Sequence, residues 1–437
     1  MTDKQVMGSK AALVALCKND PLVADFIYLT SFDTQADGES KAVPSTVGQL
    51  RLSAALHQKL SASGVKTVQE ETGVLLATLP ASEGCEKAPR LCLIAHLDTA
   101  PDASGANVSP RLVSAYPGGT ITLDNGLKLT EEFCPELRAH VGEEIIVTDG
   151  TTLLGADDKA GVAVLLNLIK DCVKSPEEGG LRHGPLKVVF SVDEEIGLSC
   201  EHLNVEKLES DVAVTVDGCE RGEVDVETFN AAEATVTFRG VAVHTAVAKG
   251  KLKSALKRAC EFVTELPAAE APESTAEREG FYHPHHLQGS VESASVKILL
   301  RDFEADGLER RKALLRELVL KFNERYGEGT VSLEINFQYH NLKAYLDKAV
   351  QESGGELDPV AWCVEACKAA GVKAELKSVR GGTDGSNLSA RGLPCPNLFT
   401  GALNCHGVYE CLPVPSLHAS LETVRSLVTL IADKTRS

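Results

Sequence analysis

Apolar runs of strand length and of helix length alternate through the first half of the chain. Residues 90–95, 186–192 and 212–216 form largely continuous apolar runs, as in strands that are covered on both faces. Residues 159–172 lie between the first two runs, and they are long enough and rich enough in Ala and Leu for a buried helix. Strands that alternate with helices predict an α/β domain, doubly wound around a mostly parallel sheet.

The pattern changes near residue 229, where apolar and polar residues alternate as in a sheet with one wet face. The elements expected here are strands near 234–238, 287–291, 296–300 and 331–337 and helices near 252–263 and 314–322. Their order predicts a βαββαβ, ferredoxin-like α+β domain. Beyond residue 342 the doubly wound pattern returns, with a helix at 358–370, a strand near 396–400 and a helix at 417–432.

We therefore expect a discontinuous organisation of domains. A larger domain comprises residues 1–228 and 343–437, and a smaller domain is inserted at residues 229–342.

Charge and cysteine content narrow the partners and the compartment. The 437 residues carry a formal net charge of −18, which disfavours nucleic acid and anionic membranes as partners because both repel an acidic protein. The N-terminal stretch lacks the basic segment and cleavage site of a signal peptide, so we expect a cytoplasmic protein. The 13 cysteines are scattered and odd in number, which favours reduced, mostly buried thiols.

Polar side chains follow the predicted core strands directly, where ligands of open α/β sheets bind. They are His96, Asp98, Asp193, Glu194, Glu195, Asp217 and His406. Asp157 and Asp158 stand just before the predicted helix at 159–172. Each alone has a simpler explanation, such as a turn, a helix N-cap or a solvated acidic cluster. Together they supply two histidines and several carboxylates at one sheet edge, which suits a pair of divalent metals, most simply zinc, with a bridging carboxylate.

Several longer motifs carry a resemblance to a known family. They are SFDTQ, VPSTVGQ, HLDTAPDASGANVSP, TDGTTLLGADDKAG, DEEIG, GFYH, RDF and RGGTDGSNLS. In these motifs, nearly from end to end, the chain resembles the peptidase T branch, the tripeptide aminopeptidases, of the M20 family of di-zinc metallopeptidases. HLDTAPD, GADDKAG and RGGTDG together are specific to that branch.

The resemblance implies two zinc ions per subunit and five residues that bind them. One ion would be held by His96 and Asp217 and the other by Glu195 and His406, with Asp157 bridging both. The family fold implied is the same two-domain arrangement that the apolar pattern predicts. Residues 1–228 and 343–437 would form the catalytic domain, and residues 229–342 would form a lid or dimerisation domain through which a homodimer would assemble.

The resemblance also implies roles beside the ligands. A cis peptide bond would join Asp157 to Asp158, Asp98 would orient a histidine ligand, and Glu194 would be the general base for a metal-activated water. The residues agree with the last role, because adjacent side chains of an extended segment point in opposite directions. Glu194 and Glu195 therefore cannot both easily bind one metal, and one of them is free to handle protons.

Four further candidate site residues lie outside the strand ends. His244 alone is most simply a surface or turn histidine, but the resemblance implies that it contacts the substrate carbonyl; here Thr-Ala follows it instead of the usual Pro-Gly. Arg380, in a glycine-rich turn, would bind the C-terminal carboxylate of the peptide and so measure its length. Asn341 and Arg301 would line the same site.

The combined expectation is a cytoplasmic zinc aminopeptidase that removes the N-terminal residue of tripeptides. One alternative is another M20-type hydrolase: a dipeptidase, a carboxypeptidase or an N-acyl amino-acid amidohydrolase. An alternative of another class is an inactive paralogue that binds peptides or metal, although such a protein commonly lacks the base or a ligand and none is missing here.

Overall fold

The computed structural model describes residues 5–434. The strands are β1 Gln5–Met7, β2 Lys66–Gln69, β3 Leu75–Leu79, β4 Leu91–His96, β5 Arg111–Val113, β6 Thr120–Thr122, β7 Lys128–Leu129, β8 Ile145–Val147, β9 Leu186–Ser191, β10 Val212–Gly218, β11 Glu223–Thr228, β12 Asn230–Arg239, β13 Phe281–Gly289, β14 Ser293–Asp302, β15 Val331–Tyr339, β16 Glu375–Val379, β17 Asn397–Phe399 and β18 Cys411–Pro413. The helices are α1 Lys10–Cys17, α2 Pro21–Thr30, α3 Val47–Ala62, α4 Ala156–Cys172, α5 Ser199–His202, α6 Ala255–Thr264, α7 Ala305–Tyr326, α8 Lys343–Glu352, α9 Pro359–Ala369, α10 Asp384–Ala390 and α11 Val414–Ala432.

Contacts divide the chain into two compact units. The first comprises residues up to Val226, Tyr345–Lys377 and the residues from Leu388 onward, and the second comprises Glu227–Ala344 and Ser378–Asn387. The second unit takes in a short segment that the sequence analysis assigned to the catalytic domain. The exact boundaries of the functional domains stay a prediction.

The first unit is built on an eight-stranded sheet in the order β16-β11-β17-β10-β4-β9-β3-β2. Its four central strands, β17, β10, β4 and β9, are parallel, whereas β11, β3 and β2 pair in antiparallel fashion. Helix α4 packs on this centre and is buried at every position from Asp158 to Ile169, which explains its continuous apolar run. This architecture confirms the predicted doubly wound α/β class.

The second unit has the predicted βαββαβ order, with an antiparallel sheet β13-β14-β12-β15. Helices α6 and α7 pack on one face of this sheet, where Phe262 and Phe322 meet edge to face with ring centroids 5.2 Å apart. Strand β13 begins earlier than the predicted 287–291. A bulge between Pro284 and His286 interrupts the alternation of inward and outward side chains along this strand. The first half of the strand therefore does not continue the period-two pattern by which the second half was predicted.

The remaining predicted elements are confirmed at α9, β17 and α11. All 13 cysteines lie in the described part of the chain and are free thiols, as predicted. Among residues 5–434, the helices include none whose length and apolar character would let it cross a bilayer.

Candidate metal centre

The five predicted ligands lie together at the carboxyl end of the parallel strands in the first unit. His96 is the last residue of β4, Asp217 is near the end of β10, and Glu195 follows β9. Asp157 stands at the start of α4, and His406 lies between β17 and β18. Because β10, β4 and β9 are adjacent and parallel, their ends bring side chains that are distant in sequence to the same edge.

Asp157 is shared between the two histidines. Its Oδ1 lies 2.9 Å from Nε2 of His96, and its Oδ2 lies 3.3 Å from Nε2 of His406. On the first side, Asp217 Oδ1 is 3.4 Å from the same His96 nitrogen. On the second side, Glu195 Oε2 is 3.0 Å from His406 Nε2. The cluster thus consists of two histidine–carboxylate groups joined by one carboxylate.

The backbone at this junction has the geometry that the resemblance implied. The Asp157–Asp158 peptide bond is cis. The Asp158 carboxylate accepts hydrogen bonds from the main-chain N–H of His96 and of Gly161, each at 3.1 Å. Asp158 therefore braces the strand end and the helix start, while Asp157 projects toward the two histidines.

The ligand cluster carries more negative charge than its histidines neutralise. Burial and the charge of Asp157 raise the pKa of Glu195 to about 7 and that of Asp217 to about 7. Hydrogen bonds to Asp157 and Glu195 raise the pKa of His406 to about 11. The raised pKa values of the two carboxyls reflect burial and repulsion by Asp157, both of which a nearby cation would offset.

The donor set fits divalent metal ions. Among residues 5–434, Glu195 Oε1 is a buried carboxylate oxygen without a hydrogen-bond partner. Coordination of a cation would satisfy such an oxygen. His96 forms one close group with Asp158 and Asp217 and another with Asp157 and Glu195, each within 4.8 Å. Imidazole nitrogens with carboxylate oxygens are donors that zinc accepts.

Comparison with known proteins settles the family. Over 412 residues the chain is 43% identical to Peptidase T of Parabacteroides distasonis, and the match covers 94% of this chain and 98% of the relative. The chain belongs to the peptidase T family. Peptidase T of Geobacillus kaustophilus is 40% identical over 420 residues, covering 94% of this chain and 98% of that relative.

Two segments of this peptidase T family member also match models of other families. Residues 226–330 match the M20 Peptidase dimerisation domain, and residues 140–264 match M42 glutamyl aminopeptidase. Among solved structures, a tripeptidase of Staphylococcus aureus has the same fold, with a TM-score of 0.69 at 22% identity, covering 94% of this chain and 98% of that one.

In this peptidase T family member, Asp98 contacts the predicted ligands His96 and Glu195. His96 Nδ1 lies 3.1 Å from the main-chain oxygen of Asp98 and 3.4 Å from its Oδ1. The Asp98 carboxylate also accepts the main-chain N–H groups of Glu194 and Glu195, at 3.1 and 3.0 Å. Asp98 thus contacts the ring of His96, a predicted ligand, and accepts hydrogen bonds from the turn that carries the predicted base.

The sequence analysis did not predict a second hydrogen-bond network that holds this turn. Asp193 is fully buried, and its carboxylate accepts hydrogen bonds from the main-chain N–H and hydroxyl of Ser45 and from Nε2 of Gln49. Gln49 Oε1 in turn accepts the main-chain N–H of Asp193 at 3.0 Å. The VPSTVGQ motif, which signals family membership in the sequence, therefore anchors the residue before Glu194.

Two other buried charges were not assigned to the site. Glu410 accepts three main-chain hydrogen bonds from the loop that ends in Asp157, and burial raises its pKa to about 7. Lys159 donates from Nζ to the main-chain oxygen of Phe32 at 2.7 Å, and burial lowers its pKa to about 8. A charged residue inside an apolar run was the signal available in the sequence at Glu410.

The predicted residues that lie outside the strand ends belong to the second unit. His244 is exposed, and its Nδ1 accepts the main-chain N–H of Ala246 at 3.1 Å. Arg380 donates to the main-chain oxygens of Glu277 and Glu279, at 3.0 and 2.7 Å. Its guanidinium also lies over the rings of Phe229 and Phe281. The substrate roles of His244 and Arg380 stay predictions.

Asn341 has a full set of partners within its own unit. Its Oδ1 accepts the main-chain N–H groups of Thr228 and Lys343, and its Nδ2 donates to Glu227 and to the main-chain oxygen of Phe303. An amide with two donors and two accepted bonds already satisfied has little left for a ligand. Its predicted contact with substrate stays a prediction.

Proposed function

We propose that this protein is a zinc aminopeptidase that removes the N-terminal residue from tripeptides. The observation that carries the proposal is the shared carboxylate of Asp157, whose two oxygens face His96 and His406. Membership in the peptidase T family and likeness to a tripeptidase of Staphylococcus aureus support the substrate class. A dinuclear metal binding peptidase of the M20 family from Bacillus subtilis has the same fold. Its TM-score is 0.60 at 11% identity, and the match covers 96% of this chain and 99% of that one.

In this proposal five residues would hold two zinc ions. His96 and Asp217 would hold one, Glu195 and His406 would hold the other, and Asp157 would contribute to both. When bound, the two ions supply a Lewis acid for the scissile carbonyl and lower the pKa of water.

The proton transfers fall to Glu194. It takes the proton of the attacking water and returns it to the amine that leaves, so no covalent intermediate forms on the protein. Asp98 supports this role, because it accepts the main-chain N–H of Glu194 and so fixes the start of the side chain. Glu194 is partly exposed, which leaves it accessible to substrate.

The second unit supplies the remaining contacts in the proposal. His244 donates to the oxygen of the tetrahedral intermediate, and Arg380 binds the C-terminal carboxylate. A planar guanidinium that already lies on two aromatic rings is held in one orientation, which suits a bidentate contact. Asn341 holds its own segment in place. The match of residues 226–330 to a dimerisation domain supports a homodimer through this unit.

The test uses three forms of one peptide: Ala-Ala-Ala, its N-acetyl form and its C-terminal amide. Zinc-loaded protein is expected to release N-terminal alanine from the free tripeptide, to leave the N-acetyl form intact, and to process the amide with a higher KM. Removal of zinc by a chelator is expected to abolish the activity, and added zinc to restore it.

Other outcomes identify other functions. Release of acetate from the N-acetyl form would point to an amidohydrolase of the same wider family. Release of alanine from the N-acetyl form but not from the C-terminal amide would indicate a carboxypeptidase, because the two ends of Ala-Ala-Ala give the same products. Bound zinc without turnover of any peptide would contradict the proposal and favour a binding protein.

A further inference from the structure

We propose that Glu410 is a positioning residue that sets the place of the bridging carboxylate and thereby the affinity of both metal sites. This inference rests on the proposed function for its two metals. Glu410 is only 1% exposed and belongs to none of the metal-binding groups found in the described residues. Its effect is exerted through the main chain of Asp157.

The Glu410 carboxylate receives three main-chain hydrogen bonds from one loop. Its Oε2 accepts the N–H groups of Leu154 and Gly155, each at 2.7 Å, and its Oε1 accepts the N–H of Asp157 at 3.0 Å. These donors belong to the few residues that precede the cis peptide after Asp157. The carboxylate therefore holds the loop at the point from which the bridging side chain projects.

The chain around Glu410 makes this support rigid. Glu410 directly precedes β18, which pairs along its length with β8 in an antiparallel ladder. Just beyond β8, the hydroxyl of Thr148 donates to the main-chain oxygen of Val408 at 3.0 Å. The chain is thus bonded to the β8 segment on both sides of Glu410, through Val408 before it and through β18 after it. A displaced Glu410 side chain would move a ligand that both ions share.

The pattern of donors predicts what an isosteric substitution does. Two N–H groups converge on Oε2, so a glutamine at this position would direct its one acceptor oxygen toward Leu154 and Gly155. Its NH2 group would then face the N–H of Asp157, which loses its acceptor because two donors cannot pair. Glu410→Gln thus disturbs Asp157 while it preserves the size of the side chain.

A purely structural role for Glu410 makes a different prediction. In that case Glu410→Gln lowers the stability of the metal-free protein, but the folded fraction binds zinc as the wild type does. Zinc affinity is therefore the readout that separates positioning of the ligand from support of the fold.

The experiment compares full-length wild type, Glu410→Gln and a matched control by competition for zinc with a chromophoric chelator. Glu131→Gln is the control, because Glu131 is a carboxylate of the same unit that accepts one main-chain N–H, from Gly119 at 2.7 Å, and lies outside the ligand cluster. We expect Glu410→Gln to weaken the binding of both ions by about 10–100-fold, the usual effect of losing a residue that supports ligands. Glu131→Gln is expected to bind zinc as the wild type does.

Activity adds a second readout. At saturating zinc, Glu410→Gln is expected to keep the wild-type KM for Ala-Ala-Ala and to regain much of its kcat. Wild-type zinc affinity in folded Glu410→Gln protein would overturn the inference. If that variant does not fold, Glu410→Asp decides: it keeps the charge but is one methylene too short to reach all three donors, and it too must bind zinc more weakly.

The two proposals fail in distinguishable ways. A wild type that binds two zinc ions but cleaves no peptide contradicts the proposed function alone, and the zinc affinities still test Glu410. A wild type that binds no zinc contradicts both.

Discussion

The carboxylate of Asp98 accepts the main-chain N–H of Glu195 at 3.0 Å, although 97 positions separate the two residues. The same carboxylate lies beside the ring of His96, so one buried group supports a ligand of each proposed metal. Residues that orient metal ligands from outside the coordination shell commonly matter almost as much as the ligands. The first prediction concerns this residue.

Replacement of Asp98 by Ala is expected to weaken zinc binding by about 10–100-fold, because His96 and the Glu194–Glu195 turn lose a common acceptor. Chelator competition measures the affinity, and circular dichroism checks that the variant is folded. Asp211→Ala is a suitable comparison, since Asp211 also accepts a main-chain N–H, from Arg90, but lies away from the cluster. Unchanged zinc affinity in Asp98→Ala would contradict the prediction.

Replacement of Glu194 by Gln is expected to leave zinc binding intact and to lower kcat for Ala-Ala-Ala by about 10²–10⁴-fold, since an amide cannot accept the proton of water. The measurement is steady-state kinetics on protein whose zinc content has been determined. Glu201→Gln, at a surface position of the same region, serves as the control. Full activity in Glu194→Gln would remove Glu194 from the mechanism.

Replacement of Arg380 by Lys is expected to raise KM for the free tripeptide by about tenfold or more, because lysine offers no bidentate fork to a carboxylate. The KM for the tripeptide amide, which has no such carboxylate, is expected to stay the same. Comparison of the two substrates separates loss of recognition from a displaced loop. Equal increases in KM for both would indicate that Arg380 acts only through its bonds to Glu277 and Glu279.

Replacement of Gln49 by Leu is expected to lower the free energy of unfolding of the first unit by about 1–3 kcal/mol, because the buried N–H of Asp193 loses its acceptor and its carboxylate loses a donor. Urea unfolding of metal-free protein measures this change. Gln69→Leu is the matched control, since the side chain of Gln69 makes a single hydrogen bond to Ser53 at a half-exposed position. Equal stability of the two variants would show that the Asp193 network contributes little.

The fifth prediction concerns acid stability of the second unit. Burial raises the pKa of the Glu227 carboxyl, but hydrogen bonds from three side chains outweigh it and lower the pKa to about 2. The donors are Arg278, Ser378 and Asn341. Since the ordinary value for glutamate is about 4.3, the folded state favours the ionised form.

The sign of the pH effect follows from that shift. The stabilisation is fully present above the unfolded pKa and is lost as the pH falls through about 2. Glu227→Gln is therefore expected to show a flatter loss of stability between roughly pH 5 and pH 2 than the wild type, by on the order of 2 kcal/mol after allowance for solvent around Arg278. Thermal unfolding across that range tests it, and parallel curves would contradict it.

The sequence predicted the fold class well because each unit has a simple burial pattern. Strands β4, β9 and β10 are covered on both faces, so their apolar runs are continuous and easily recognised. Strand β13 was located too late, since the bulge at Pro284–His286 breaks the alternation on which the prediction depended. Regular packing produces a periodic pattern of apolar residues in the sequence, and a bulge interrupts that pattern.

The clustering of the candidate ligands was also predictable, for a topological reason. Parallel neighbours in a sheet end at one edge, so polar residues after β4, β9 and β10 had to meet there. Apart from Asp98, the supports of those residues were not predictable. Gln49 and Glu410 accept main-chain N–H groups far away in sequence, and Ser45 donates its main-chain N–H and its hydroxyl to the Asp193 carboxylate. Such bonds have no fixed spacing.

The sequence by itself thus determined which elements form and which polar side chains stand at the ends of the core strands, because both depend on local order and on burial. Only the tertiary structure decided that Asp157 turns one oxygen to His96 and the other to His406, and that Glu410 holds the loop behind it. Those relations depend on the directions of individual atoms in a closed, hydrogen-bonded cluster. Such directions are set when distant segments pack together.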